Sequence, residues 1–286
     1  MRNILLFIDD LTKAESLAKK ALKVARQCRA NLQLCNAVKT RAQKSLLVHH
    51  YDDEVVFEEP ESADLKELAL KLKGMHHPEG AYHPAINCVE MINFNPTTIR
   101  ETVIRHNVWM MILGEQSLDQ LKNADTFNFA IKMINNINCP VLVMPDKFDM
   151  SFFDRVAYIT DLRYCDIGVI RFLKILNAQL FVTHISAPGL PDLEERYAQD
   201  ILSEEISVKA NYQKIFLRNI KNKNIKGAID YVVDTVEIKM LALVNKKHQT
   251  IERLYDNYAE KTQLYQKLPA LIFPYLNWFN HASFYE

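Results

Sequence analysis

The chain has 286 residues, 49% hydrophobic and 24% charged, with 35 basic and 35 acidic side chains that cancel. That composition excludes a disordered chain, a collagen-like repeat and a disulfide-stapled miniprotein, and the lack of a basic surplus argues against binding nucleic acid by phosphate neutralisation. Six glycines, where average usage of roughly 7% would give many more, leave few loops able to bring backbone close to a phosphate.

From the N-terminus, Ile4 to Ile8 is an apolar run ending at Asp9 and Asp10. It is too short for a signal-peptide core and far below the ~20 residues that span a bilayer, and no later run reaches that length. Five cysteines without a C-x-x-C pair, four of them in or beside apolar stretches, fit reduced thiols in the cytoplasm. Further short apolar runs follow at Leu32 to Val38, Cys88 to Ile92, Trp109 to Leu113 and Val141 to Met144. Between them lie amphipathic helical patterns with start signals. Thr12 and Glu15 form a capping box, Ser62 precedes Leu65, Leu68, Ala69 and Leu72 with Gly74 expected just past the end, and Asn95-Pro96 opens a third helix. Near-continuous apolar strands alternating with helices predict a parallel sheet covered on both faces.

The second half repeats the pattern. Val156 to Thr160 precedes Asp161, Leu180 to Ile185 matches the second strand, Lys214 to Leu217 the third and Ile238 to Val244 the fourth. Each half closes alike, on Pro140-Val-Leu-Val-Met-Pro145 and Pro269-Ala-Leu-Ile-Phe-Pro274. From Asp9 to Pro140 is 131 positions and from Asp161 to Pro269 is 108, most of the difference lying between strands two and three. The expectation is an α/β chain of two tandem doubly wound domains, residues 1–147 with an insertion near 39–85 and residues 152–274, each a five-stranded parallel sheet flanked by helices.

These residues resemble the universal stress protein family. The resemblance rests on the strand Asn3-Ile-Leu-Leu-Phe-Ile-Asp9, the Ala- and Lys-rich helix from Ala14 to Arg26, the strand at Ala30-Asn-Leu-Gln-Leu, Leu113-Gly114 ending the fourth strand, and Cys139-Pro-Val-Leu-Val-Met-Pro145. It implies Rossmann-like domains of the adenine nucleotide alpha hydrolase type, packed as a pseudo-dimer with their last strands side by side. In many members such a fold binds ATP through a loop G-x-x-G-x9-G-S/T after strand four, where glycines and a helix start admit phosphate. Laid on this chain, the loop begins at Gly114, but its later positions fall on Ser117, Phe127 and Asn128, and Glu115 adds a repulsive carboxylate. The second-half loop from Val244 through Asn245-Lys246-Lys247-His248 to Thr250 has no glycine. ATP binding in the family manner is therefore not expected; the alternative is an ATP-sensing member using a variant loop around Gly114. Cofactor-binding positions matched to the family are Asp9, Val38, Gly114 and Asp161, with Ile185 taken as the partner of Asp161. An Asp after a buried strand also serves simply as a helix cap or turn residue.

Other candidates are weaker. His49, His50, His76, His77 and His83 cluster in the insertion near Asp52 and Asp53, without a metal-binding spacing. Lys246-Lys247-His248 precedes a helix start at Thr250 and could hold an anion or be a solvated turn. No G-x-S-x-G, Walker loop, H-E-x-x-H or C-x-x-C occurs, so no catalytic residue is expected. The tail 275–286 carries five aromatics, suited to docking on the chain itself or on a partner subunit. The expected function is a binding or signalling module of the stress response, with a protein partner or homodimer, a small-molecule ligand as a possibility, and neither nucleic acid nor membrane.

Overall fold

The computed structural model describes residues 1–8, 11, 14–38, 63–76, 79–92, 96–114, 134, 136–148, 152–162, 165–188, 190, 192–245 and 268–274. Asp9, the expected helix caps Thr12, Ser62 and Asn95, the histidines at 49, 50 and 77, both loops after the fourth strands and the aromatic tail lie outside these residues.

The first half supplies strands β1 (Asn3–Ile8), β2 (Asn31–Val38), β3 (Ile86–Ile92), β4 (Val108–Gly114) and β5 (Val141–Met144). The second supplies β6 (Arg155–Ile159), β7 (Gln179–Ser186), β8 (Ile215–Lys221), β9 (Met240–Asn245) and β10 (Ala270–Pro274). They form one ten-stranded sheet in the order β3-β2-β1-β4-β5-β10-β9-β6-β7-β8. Counted from the seam, both halves run fifth, fourth, first, second, third. All the pairings are parallel except β5 with β10, which pair antiparallel about Leu142 and Leu271, with Val143 opposite Ala270 and Val141 opposite Ile272. That arrangement is a local two-fold relation between the halves.

The strands are apolar on both faces because both faces are covered. Ile4, Leu6, Ile8, Leu32, Leu34, Val156, Tyr158, Leu180 and Val182 point to one layer. Against them pack α1 (Ala14–Cys28), α2 (Ala63–Lys73), α4 (Ile167–Lys174) and a segment formed by α5 (Glu195–Asp200), a π-helical stretch (Ile201–Ser207) and α6 (Val208–Ala210). The intervening residues Leu5, Phe7, Ala157, Ile159, Phe181 and Ile185 face the other layer, with α3 (Pro96–Arg105) and α7 (Ile225–Val236). Period-2 alternation thus feeds two cores, each running across both halves.

A β-bulge ties the halves together. Asn3 pairs with Val108 but Ile4 with Met110, so Trp109 is the extra residue of β4. Trp109 therefore joins Met110 in the α1 layer, where its ring stacks on Phe172 of α4 at 4.1 Å and 9°. Phe172 meets Phe273 of β10 edge-on at 5.2 Å. Gln27 of α1 adds polar contacts across the seam, donating to Phe153 O at 3.1 Å and Leu176 O at 3.0 Å.

The shortage of glycine shows at helix ends. Gly74 follows α2 and bonds Leu70 O at 3.0 Å, yet its φ is not left-handed. The left-handed positions are held instead by Arg29 (φ 49°), Asn107 (48°), Asn177 (54°), Asn211 (47°) and Glu237 (52°), with Gly80 (73°) in a turn. Asparagine tolerates that region; Arg29 and Glu237 carry a steric cost there.

Candidate functional site

In a parallel sheet ligands collect at the carboxyl ends of the strands. Val38 ends β2, its Cα opposite Ile92, and Gly114 ends β4 opposite Met144. Asp161 lies two residues beyond β6, with its side chain 13% exposed.

The sheet register fixes which residues correspond between the halves. Met111 N donates to Pro140 O and Leu241 N to Pro269 O, each at 2.9 Å, so Val244 stands where the first half has Gly114. Val244 is buried in the layer shared with α4. Asn3 pairs with Asn31 and Arg155 with Gln179, so Ser186, rather than Ile185, stands at the position of Val38. Ile185 faces the α7 layer. The pairing of Ile185 with Asp161 expected from the sequence is therefore one residue out of step, which on a strand means the opposite face.

On the correct face, the second half holds a polar cluster. His184 is 1% exposed and neither ring nitrogen has a hydrogen-bond partner. Its Nδ1 lies 4.0 Å from Asp161 Oδ1, beyond hydrogen-bond length. Across the ladder His184 pairs with Asn219 of β8. Asn219 Nδ2 donates to Leu193 O and to Glu195 Oε2, both at 3.0 Å, while its Oδ1 is buried without a partner. A buried polar group left without a partner costs on the order of 1–3 kcal/mol, so this layer is expensive for the fold.

One step nearer the strand ends, Ser186 pairs with Lys221. Lys221 Nζ contacts Asp192 Oδ2 at 2.8 Å, and Asp192 Oδ1 accepts from Leu193 N at 3.0 Å. The Lys221 hydrogen bond chiefly holds the Asp192 carboxyl below its ordinary range, with help from the neighbouring Ser186 hydroxyl. Ser186 Oγ is itself buried and completes no hydrogen bond of normal geometry. Above this layer opens a cleft of about 720 Å³, walled by Ala187, Pro188 and Leu190 on one side and by Lys221, Asn222 and Lys223 on the other.

The cleft lies beside the start of α7. Asn224 is its N-cap, with Oδ1 accepting from Gly227 N at 2.6 Å, and Asn222 Oδ1 accepts from Asn224 N at 3.3 Å. A Cβ at Gly227 would stand 3.2 Å from both asparagine oxygens, so glycine is what lets the two side chains close over the turn. This is close approach by a glycine, but at the third strand's end and not the fourth's.

Sequence reasoning missed His184, Ser186, Asn219 and Lys221. The signal was present in Thr183-His184-Ile185-Ser186, where two polar residues at i and i+2 end an apolar run and must share a face. Of the expected positions, Asp161 lies 4.0 Å from His184, two residues short of the end of β7. Among the described residues no group of three or more His, Cys, Asp or Glu could hold a metal ion, and no helix is long and apolar enough to cross a membrane. His76 and His83 are both exposed.

The sequence model described as the universal stress protein family matches residues 1–145. No curated protein matches the sequence. Among solved structures, a universal stress protein from Archaeoglobus fulgidus DSM 4304 aligns with a TM-score of 0.64 at 13% identity, covering 95% of this chain and 96% of that one. A putative universal stress protein from Pseudomonas aeruginosa UCBPP-PA14 aligns with a TM-score of 0.58 at 16% identity, over 98% of this chain and 96% of that chain. A functionally unknown protein from Pseudomonas aeruginosa PAO1 gives 0.54 at 16% identity, over 98% and 95%.

Proposed function

Because the chain belongs to the universal stress protein family, we propose that it is a stress-response module working by reversible binding, with its ligand site in the strand-end cleft of the second half. The observation that carries this reading is the set of buried atoms without partners next to that cleft, both ring nitrogens of His184 and Oδ1 of Asn219, one ladder step from the Ser186–Lys221 pair that lines it. Polar groups so placed gain a partner when a ligand or ordered water enters.

The family resemblance implies an ATP cradle after the fourth strand, and two features speak against its use. Glu115 follows Gly114 in one half, and a buried valine, Val244, takes the place of that glycine in the other. Without small residues the backbone cannot approach a triphosphate. The mirrored strand order supports reading residues 1–147 and 152–274 as two similar domains. Turnover is not part of the proposal, since His184, the one buried imidazole among the described residues, hydrogen-bonds no nucleophile. Five free thiols support a reducing compartment, the cytoplasm. A module of this kind acts through a protein partner or second copy that senses its bound state.

Native mass spectrometry of the gently purified chain, with calorimetric titration of ATP, tests the reading. A retained small molecule and no saturable ATP heat are expected. Micromolar ATP binding would overturn it in favour of a variant nucleotide loop around Gly114.

A further inference from the structure

Resting on the reading that the second-half cleft is the binding site, we propose that its ligand is a small organic oxyanion, its charged group seated between Lys221, Lys223 and the start of α7 and its short apolar body against Ala187, Pro188 and Leu190. Three independent features converge on that chemistry. The first is charge. Lys223 pairs with no carboxylate among the described residues, and Lys221 meets Asp192 only through an exposed contact, both side chains being about two-thirds accessible. Exposed ion pairs are weak, so an entering oxyanion can take over the Lys221 ammonium.

The second feature is the helix. α7 is twelve residues long and its N-terminal end carries the positive pole of its dipole at the cleft. The third is the Ser186 hydroxyl, which lines the cleft from a residue 7% exposed and has no normal hydrogen bond of its own. A buried hydroxyl that helps hold the Asp192 carboxylate without completing a normal hydrogen bond can donate instead to an oxyanion that displaces Asp192. Among the described residues Asp192 is the one carboxylate on the cleft wall, and it repels an anion that fails to displace it from Lys221. The apolar wall opposite disfavours a bare inorganic ion.

The site belongs to the second half alone. By register, the first half has Val38 where Ser186 stands and Ile92 where Lys221 stands. The resemblance places phosphate at the fourth strand's end; this cleft lies at the second and third.

The test uses the full chain with sodium butyrate, its neutral isostere butyramide, and sodium phosphate, at constant ionic strength. Melting temperature and the backbone amide resonances of Asn222 and Gly227 are followed. Butyrate is expected to raise the melting temperature saturably and to shift both amides, while butyramide does neither. The double variant Lys221→Gln, Lys223→Gln should weaken butyrate at least roughly tenfold, and Ser186→Ala by a smaller factor. Both changes lie at the cleft surface, and a matched melt without ligand shows whether each variant folds. Phosphate binding without butyrate binding would support an oxyanion site and assign it to phosphoryl ligands. Equal binding of butyrate and butyramide would overturn the oxyanion proposal while leaving a small-ligand site intact. No saturable response to either anion, in a chain that still carries a retained molecule, would overturn it as well. No response and no retained molecule would overturn both.

Discussion

Replacing His184 by leucine should stabilise the free protein. In the native sheet this imidazole is 1% exposed, and both nitrogens lack hydrogen bonds. Each nitrogen left dry costs on the order of 1–3 kcal/mol relative to a solvated one. Its one compensating contact is Asp161 Oδ1 at 4.0 Å, too long for a hydrogen bond. Leucine, of similar size, keeps the strand's packing on the face shared with Leu180 and Val182 and removes both unsatisfied atoms. The net expectation for His184→Leu is a gain of about 1–3 kcal/mol, with Asn219 Oδ1 left as the remaining unsatisfied atom of the layer. Urea denaturation of the two proteins, with equal m-values, gives the difference directly. Retention of the native ligand should fall in the same variant, the usual opposition between stability and function. A loss of more than about 1 kcal/mol would refute the reasoning, because it would mean that the imidazole is satisfied in solution by water or by the Asp161 charge.

Phe172→Ala removes the ring between Trp109 and Phe273, and a buried Phe truncation of this kind costs about 3–5 kcal/mol; calorimetry should show a lowered melting temperature, and an unchanged one would mean that the halves do not depend on that contact. Arg29→Gly relieves a left-handed arginine (φ 49°) at the end of α1 and should stabilise by roughly 0.5–1 kcal/mol in the same urea assay. The thiols of Cys28, Cys35 and Cys139 are pushed up to about 12 by burial. Their raised folded values give a contribution that is complete below the unfolded thiol range and is lost as pH rises toward 12. Each should then lower stability by ~1.4 kcal/mol per pH unit above the unfolded thiol range. Alkaline melts should fall steeply from about pH 9, and in a triple Cys→Ala variant that slope should flatten. Under native conditions iodoacetamide should label exposed Cys88 and spare these three.

Much of the fold was legible because its signals are local. Ten apolar runs, their spacing and two proline-bounded closing strands give the sheet and its repeat, and the observed strands differ from the expected ones by a residue or two at their ends, except β8, which runs four residues past the expected Leu217 to Lys221 because its last residues, Arg218 to Lys221, are mostly polar. Register was less legible. Ile185 and Ser186 are both plausible ends of an apolar run, and only pairing with Lys221 and the alternation of faces separates them. The bulge at Trp109 is a second case: nothing in Asn107-Val-Trp-Met-Met signals that two neighbouring residues turn to the same face. The site itself was hidden because its members are scattered. Asp161, His184, Asn219 and Asp192 come from four separate segments, and none forms a motif with its sequence neighbours. Glycine gave a partial guide, since Gly227 marks a close approach, though of asparagine side chains and not of a phosphate.

The two halves also supply a control for the meaning of the polar layer. Their registers coincide, so the same backbone geometry is closed twice with different residues. Where the second half has Thr160, His184, Ser186, Asn219 and Lys221, the first has Ile8, Asn36, Val38, Glu90 and Ile92. Ile8 is an apolar side chain buried in the core, and Asn36 and Glu90 are half-buried with no polar atom buried without a partner. Neither condition holds for His184. The fold therefore does not demand an imidazole sealed without partners at that position; the equivalent place in the same sheet is built without one. Local choices that work against stability in an otherwise consistent chain concentrate at functional sites. A double His184→Asn, Ser186→Val variant, copying the first half into the second, should fold with equal or greater stability and lose its ligand. If it folds and still retains the ligand, the polar layer is incidental and the site lies elsewhere.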